Sequence, residues 1–132
     1  MYDANASLQA LVTKTTSFDS AGYNLSPGSG GGINFGTPRR GLKARVIVSA
    51  YSSPGTAGTV FTFNIQDSSD NTTFQTIASG YPITGATAAG TAQTIFIPFE
   101  TSKRYVRLSM SMSPSSGTPT ISYLADIGNA RP

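Results

Sequence analysis

The side chains best suited to chemistry in this chain lie in one short polar segment, DSSDNT, at residues 67–72. Two carboxylates, Asp67 and Asp70, lie three residues apart in the sequence, and many enzymes use a pair of carboxylates for general acid and base catalysis. The same oxygens resemble the start of an EF-hand calcium loop, which needs glycine at its sixth position and glutamate at its twelfth. Those positions hold Thr72 and Ala78, so the calcium motif fails at both demanding places.

The residues on either side of this segment indicate a turn. Apolar side chains recur at every second position in FNIQ before it, and the pattern resumes at Phe74 and Ile77 after it. Aspartate and asparagine bond their own backbone in turns and tolerate the left-handed conformation. A catalytic pair instead needs a cleft and a surface that holds a substrate. We therefore interpret DSSDNT as a hairpin turn with neither a metal nor a catalytic role.

Several residue types that enzymes rely on are missing. The chain has no cysteine, which excludes a disulfide, a zinc thiolate site and a thiol nucleophile. It has no histidine, the commonest general base, and no G-x-S-x-G motif. The glycine-rich run GSGGG at 28–32 does not fit G-x-G-x-x-G and does not follow a strand, so we read it as a loop. We expect no enzymatic activity, no cofactor and no small-molecule substrate.

Composition favours a protein that works by contact. The 132 residues fit one domain, and only 11% of them are charged, against about 25% in typical soluble proteins. Serine, threonine, asparagine, glutamine and glycine must therefore form most of the surface, which suits proteins that pack against others and also carbohydrate-binding modules. The net charge of +3 is too small to favour nucleic acid. The start of the chain, MYDANASLQALV, has no basic leader and no long apolar run, so we expect no signal peptide and no membrane span.

The elements that carry these residues are strands. Five segments alternate apolar and polar residues with the period of two that is typical of half-buried strands. Two weaker segments, SLQALV and TFQTIAS, bring the total to seven or eight strands, separated by breakers rich in glycine, proline and serine. The predicted inward positions are Leu42, Ala44, Val46, Val48, Ala50, Phe61, Phe63, Ile65, Ile95, Ile97, Phe99, Val106, Leu108, Met110, Met112, Ile121, Tyr123 and Ala125.

Many short antiparallel strands with such turns predict an all-β, single-domain antiparallel β-sandwich of the jelly-roll kind. We expect this domain to span residues 1–132, with short N- and C-terminal arms and a glycine-rich loop at 26–32. No helix with an amphipathic pattern is expected.

Basic residues fall into two clusters, which hold seven of the nine in the chain: Arg39, Arg40, Lys43 and Arg45, then Lys103, Arg104 and Arg107. One interpretation is that these are solvated charges that keep strand edges soluble. The other is an electropositive surface that faces an acidic partner. The sequence leaves both open.

The order of features resembles a known group of proteins. The segments that carry the resemblance are GTPRRGLKARVIVSAY, the turn F-x-I-Q-D-S-x-D-N-x-x-F, and P-x-x-x-x-K-R-Y-V-R-L followed by a last strand in GTPTISYLADIGNARP. Together they are similar to small jelly-roll capsid cement (decoration) proteins of tailed bacteriophages. The resemblance implies a structural virion protein, made in the host cytoplasm, not secreted, and bound to the outer surface of the capsid. Its implied partners are the major capsid protein, whose neighbouring capsomers it bridges, and further copies of itself in a homodimer or homotrimer. It implies no nucleic acid and no membrane.

The expected contact surface combines the chain ends and the basic clusters. The stretches MYDANA and GNARP are poor in strand pattern, and free ends commonly become ordered on a partner. Basic side chains would complement an acidic shell surface. The predicted capsid contacts are Met1, Tyr2, Asp3, Arg39, Arg40, Lys43, Lys103, Arg104, Arg107 and Arg131.

A carbohydrate- or receptor-binding domain of a phage tail or fibre is the alternative. Sugar sites use exposed aromatic rings, and the chain has no tryptophan, which leaves Tyr23, Tyr51, Tyr81 and Tyr105 as candidates. Packing at strand ends with a hydrated hydroxyl explains these tyrosines equally well.

Overall fold

The computed structural model describes residues 2–25, 39–52, 59–84, 92–113 and 119–129. In these ranges the chain forms strands and no helix, so they contain no helix that could cross a membrane. Seven strands have five residues or more and three have two, in agreement with the expected seven or eight. The strands are β1 (Tyr2–Lys14), β2 (Phe18–Asp19), β3 (Tyr23–Asn24), β4 (Arg39–Ser52), β5 (Val60–Ser68), β6 (Gln75–Ser79), β7 (Ile83–Thr84), β8 (Gln93–Thr101), β9 (Tyr105–Ser113) and β10 (Thr120–Asn129).

The strands form two antiparallel sheets. The first sheet has the order β1-β10-β4-β8, and the second has β9 and β5 at its centre, with β2 and β3 beside β9 and β6 and β7 beside β5. The pairing is nested along the chain: β1 pairs with β10, β2 and β3 with β9, β4 with β8, and β5 with β6. A chain paired like one long hairpin and wound into two sheets is a jelly roll. The predicted fold class is therefore confirmed.

The core lies between the two sheets and consists of the inward side chains predicted from the alternation. All of them are buried except Ala50. Tyr123 of the first sheet meets Phe63 of the second edge to face, with ring centroids 5.0 Å apart. The core also includes Leu8, Leu25, Ile83 and Ile127, which the alternation did not single out.

The prediction for Ala50 was wrong because β4 carries a bulge. Its pairing with β10 shifts between Ser122, opposite Ala50, and Tyr123, opposite Val48. The extra residue reverses the alternation, because a bulge turns every later side chain to the other face. Ala50 is therefore exposed, and Tyr51 turns inward to meet Phe61 edge to face at 6.2 Å.

The prediction of an N-terminal arm was wrong from Tyr2 onward. These residues form the first part of β1, in which Tyr2 lies opposite Gly128. Three register shifts interrupt the pairing of β1 with β10. Irregular pairing removes the regular alternation by which a strand is recognised, which explains why the sequence pattern was missing here. At the other end, β10 continues through Asn129. Met1, residues 130–132 and the predicted loop at 26–32 lie outside the described residues.

Candidate partner-binding surface

Part of each basic cluster and both ends of the described chain meet at one end of the sandwich. In the first sheet Tyr2 lies opposite Gly128, Leu42 lies opposite Asn129, and Arg39 at the start of β4 lies opposite Thr101 at the end of β8. The turn that follows Thr101 carries Lys103 and Arg104. We call this the basic end, defined by Tyr2, Arg39, Arg40, Lys103, Arg104 and Asn129.

Arg104 is the described basic side chain that is most available at this end. It is exposed, its Nε donates to Asn24 Oδ1 at 3.0 Å, and its guanidinium lies 5.7 Å from the ring centre of Tyr105. Its backbone oxygen accepts from the Leu25 amide at 2.7 Å, which fixes the turn against the second sheet. Arg104 is thus held in place while its charge faces solvent.

Lys103 has a structural contact instead. Its Nζ lies 3.4 Å from Oδ1 of the buried Asp67, and its backbone amide donates to Thr101 Oγ1 at 3.0 Å. A lysine that compensates a buried carboxylate has less charge to offer a partner. Among the side chains described at the basic end, Arg104 is therefore the main exposed cation.

Lys43 and Arg107 lie on opposite outer faces. Lys43 points outward from the first sheet, with Nζ 5.1 Å from the ring centre of Phe96. Arg107 is on the outer face of the second sheet, where Nε donates to Gln66 Oε1 at 2.7 Å and Nη2 lies 3.4 Å from Asp19 Oδ2. Lys43 and Arg107 therefore do not share one surface, because β4 belongs to the first sheet and β9 to the second.

Arg45 is also paired, and it lies in the middle of β4 rather than at the basic end. It makes a two-pronged ion pair with Asp126, with Nε–Oδ1 at 3.1 Å and Nη2–Oδ2 at 2.6 Å. The basic end is moreover of mixed charge, since Glu100 and Asp70 are exposed near it. It offers cations beside carboxylates rather than a uniformly positive field.

The remaining predicted contacts are placed only in part. Tyr2 and Asp3 belong to β1, and Arg40 follows Arg39 in β4, so their backbones are fixed in the first sheet. Met1 and Arg131 lie outside the described residues.

The DSSDNT segment forms the end of β5 and the hairpin turn to β6, as the flanking pattern predicted. Asp67 and Ser68 belong to the strand and are buried, whereas the turn itself begins at Ser69. Asp70 Oδ1 accepts from the Thr73 and Thr72 amides, both at 2.9 Å, and from Ser68 Oγ at 2.8 Å.

These hydrogen bonds favour the ionised carboxylate. The Thr73 amide, then the Ser68 hydroxyl and the Thr72 amide, hold the pKa of Asp70 at about 2, against the ordinary 3.8. The next residue, Asn71, has a φ of 59°, the left-handed conformation that asparagine tolerates. Among the described residues, no three side chains of the His, Cys, Asp or Glu types come close enough together to hold a metal ion.

The tyrosines proposed for sugar binding are dispersed. Tyr81, between β6 and β7, is 86% exposed, whereas Tyr23, Tyr51 and Tyr105 are half-buried. Tyr51 is fixed by Phe61 and accepts a hydrogen bond from Gln93 Nε2 at 3.2 Å. One fully exposed ring does not make the platform of several rings that a sugar chain would need.

Shallow depressions lie on the described part of the surface, among them the following two. One, of about 240 Å³, lies at the end opposite the basic end and is lined mainly by Tyr51 and hydroxyl residues such as Thr13, Ser52 and Ser122. The other, of about 380 Å³, lies between β8 and β6 beside Pro98 and Ile77, with Glu100 as its ionisable group. Neither brings an acid, a base and a nucleophile together, so neither resembles a catalytic site.

Sequence reasoning missed an apolar row on the outer face of the first sheet. It consists of Leu11 on β1, Leu124 on β10 and Ile47 on β4, which are level across the sheet, and of Phe96 on β8, which lies opposite Arg45, two residues along from the Thr94 that faces Ile47. Leu11 is 64% exposed and Phe96 50% exposed, while Ile47 and Leu124 are half-buried. The sequence does contain a signal for this surface, because these apolar residues occupy positions between the inward ones, where the alternation predicts side chains that point outward.

Comparison with known proteins identifies no family. No protein-family model matches the chain, and no curated protein matches it. Among solved structures, the chain is similar to a Clostridium thermocellum endo-1,4-beta-D-xylanase 10B fragment comprising CBM22-1 and GH10 modules, complexed with xylohexaose. The similarity has 14% identity and a TM-score of 0.44, and covers 98% of this chain but 28% of that one.

Proposed function

We propose that this chain is a capsid cement protein of a tailed bacteriophage, which binds the outer surface of the major capsid protein shell and bridges neighbouring capsomers. The observation that carries the proposal is that the start of β4, with Arg39 and Arg40, and the turn with Lys103 and Arg104 meet both ends of the described chain at the basic end. Segments far apart in sequence thereby come together at one end of the sandwich. An end of this kind suits attachment to a larger assembly.

The surface chemistry supports a role in binding. With 11% charged residues and a net charge of +3, the protein has little charge that would repel other copies crowded on a shell. Exposed ion pairs contribute only about 0–1 kcal/mol each, so arginines at the basic end would set orientation and encounter rate more than affinity. Bridging gives strength through multivalency, because each copy held at one contact re-forms the other quickly.

Arginine replacement at the basic end tests the contact surface. Arg39→Ala/Arg40→Ala and Arg104→Ala should each reduce co-sedimentation with shells, and added salt should weaken binding of the parent without abolishing it. Lys14→Ala is the matched control, because Lys14 lies opposite Ile121 at the far end of the first sheet. Equal shell binding by the arginine variants and the parent would show that the basic end is not the contact surface.

A carbohydrate- or receptor-binding tail domain is the second candidate, and the exposed ring of Tyr81 is the observation that favours it. Polar side chains on the outer face of the second sheet, including Thr62, Asn64 and Ser109, would add hydrogen-bonding partners for a sugar. Binding on a glycan array that is lost in Tyr81→Ala would establish this function. No signal on the array, together with binding to shells, would reject it.

A further inference from the structure

The apolar row puts one apolar side chain from each strand on the outer face of the first sheet, level on β1, β10 and β4 and displaced by two residues on β8, although sheet faces exposed to water are normally polar. The corresponding face of the second sheet is polar, with Thr62 opposite Ser111 and Asn64 opposite Ser109. The two outer faces therefore differ in chemistry, and the first has the character of an interface. We propose that the apolar row is the surface at which two copies of this chain pair face to face, about a two-fold axis parallel to the strands and midway between β10 and β4.

The register of the two central strands makes this face complementary to itself. Leu124 on β10 lies directly opposite Ile47 on β4, and Asp126 lies directly opposite Arg45. A two-fold axis between these strands places β10 of one copy over β4 of the other. Each Leu124 then faces Ile47 of the second copy, so that the two central apolar side chains cover each other, while Leu11 lies over Thr94 of the second copy.

The charges next to the row favour an identical partner. Within one copy, Arg45 and Asp126 form a two-pronged ion pair with side chains 32% and 14% exposed. The same two-fold axis places Arg45 over Asp126 of the second copy, so that four charges of alternating sign form a ring. Each charge then has an opposite charge on two sides, a pattern that opposes pairing in a shifted register.

The proposed pairing also leaves room for the neighbouring cation, Lys43. Lys43 lies opposite Gly128 in the register of β4 and β10. The two-fold axis therefore brings each Lys43 over Gly128 of the second copy, where there is no side chain. On the described parts of the two central strands, the axis therefore brings no like charges opposite each other.

The area is sufficient for a dimer of modest affinity. Four strands at about 4.8 Å spacing and about 30 Å length present roughly 570 Å² a side. Two such faces bury about 1,100 Å², close to the lower bound of roughly 1,000–1,200 Å² for specific interfaces. A dimer that forms at micromolar concentrations, rather than one that never dissociates, is the expected result.

Sedimentation of the purified chain over a range of concentrations tests this interface. We expect a reversible monomer–dimer equilibrium, and Leu11→Lys or Phe96→Lys should raise its dissociation constant by about tenfold or more. Both side chains are at least half exposed, so the fold should tolerate the changes, and circular dichroism checks that it does. Tyr81→Lys, which changes an exposed ring between β6 and β7 that is outside the apolar row, is the control and should leave the equilibrium unchanged.

Cross-linking tests the position of the axis. Leu11 lies between Gln9 and Val12, whose partners are Ala125 and Tyr123, so it is level with Leu124, Ile47 and Thr94 across the sheet. The proposed axis places Leu11 near Thr94 of the second copy and far from the other Leu11.

The chain has no cysteine, so Leu11→Cys and Thr94→Cys each introduce a unique thiol. A short bis-maleimide is used because packed sheets lie about 10 Å apart, too far for a direct disulfide. We expect cross-linked dimers from the mixture of Leu11→Cys and Thr94→Cys chains, and little product from Leu11→Cys alone.

Three results would overturn the inference. They are a strictly monomeric parent at high concentration, a dimer unaffected by Leu11→Lys, and Leu11→Cys chains that cross-link as readily alone as in the mixture. Either of the first two results would mean that the apolar row serves a different partner, such as the shell protein. No shell is used in these experiments, so their failure is distinct from failure of the proposed function.

Discussion

Thr101 Oγ1 donates a 2.6 Å hydrogen bond to Oδ2 of Asp67, and this buried contact joins the end of β8 in one sheet to the end of β5 in the other. The other carboxylate oxygen makes no hydrogen bond within the described residues, but Lys103 Nζ lies 3.4 Å from it and compensates its charge. The same threonine oxygen accepts from the Lys103 amide at 3.0 Å. One hydroxyl thus holds the two sheets together beneath the basic end.

Replacing Thr101 with valine tests the role of that hydroxyl in stability. Thr101→Val keeps the shape but leaves a buried carboxylate oxygen and the Lys103 amide without their partner. We expect the free energy of unfolding to fall by about 2–3 kcal/mol, because hydrogen bonds to buried charges are costly to lose. Chemical denaturation measures the change, and Thr101→Ser, which keeps the hydroxyl, should lose clearly less. A loss of equal size in both variants would assign the effect to packing.

The conformation of Asn71 gives a second prediction. Its φ of 59° suits glycine or asparagine and is unfavourable for a β-branched side chain. Asn71→Val should therefore lower the free energy of unfolding by about 1–2 kcal/mol, whereas Asn71→Gly should change it little. Thermal unfolding of the two variants beside the parent measures the difference. A valine variant as stable as the glycine variant would contradict the left-handed conformation.

The pKa of Asp70 predicts how the β5–β6 turn responds to acid. The folded pKa of about 2 lies below the ordinary 3.8, so the unfolded chain takes up the proton first as pH falls. The contribution of Asp70 to stability is thus present above 3.8 and is lost as pH falls through about 2. The stability gap between the parent and Asp70→Ala should shrink across that window in acid titrations of unfolding. A gap that stays constant with pH would show that the carboxylate is not specifically stabilised.

The pKa of Tyr123 predicts how the stability of the protein responds to alkali. Burial, with a smaller effect from the charge of Asp19, raises the pKa of Tyr123 to about 12 from the ordinary 10.0. The folded state retains this proton when the unfolded chain has released it, so stability should decline as pH rises from 10.0 towards 12. Tyr123→Phe should weaken that decline, since it removes the group that titrates. An unchanged alkaline profile in the phenylalanine variant would assign the decline to other groups.

Local pattern predicted the core because β5, β8 and β9 keep a regular period of two. Phe61, Phe63 and Ile65 on β5 are buried as the alternation required, and the strands β8 and β9 behave in the same way. The prediction was wrong where the ladder is irregular, at the bulge before Ala50 and along β1. A bulge depends on what the neighbouring strand does, and no local pattern records that.

The binding surface was less predictable than the core, for a related reason. Alternation shows that Lys43 and Arg107 point away from the core, but it does not show which sheet each strand joins. The nested pairing of distant strands places these two residues on opposite faces and brings Arg39 to Thr101. The apolar row depends in the same way on long-range register, since Leu124 and Ile47 are neighbours only in the folded sheet.

Co-sedimentation with shells is the measurement that tests the central claim most directly. The purified chain would be mixed with empty shells assembled from the major capsid protein of the same phage and pelleted over a range of concentrations. The account predicts saturable binding at a fixed number of copies per capsomer, together with shells that withstand higher temperature when decorated. Absence of the chain from the pellet at every concentration, with shells no more stable than before, would contradict it.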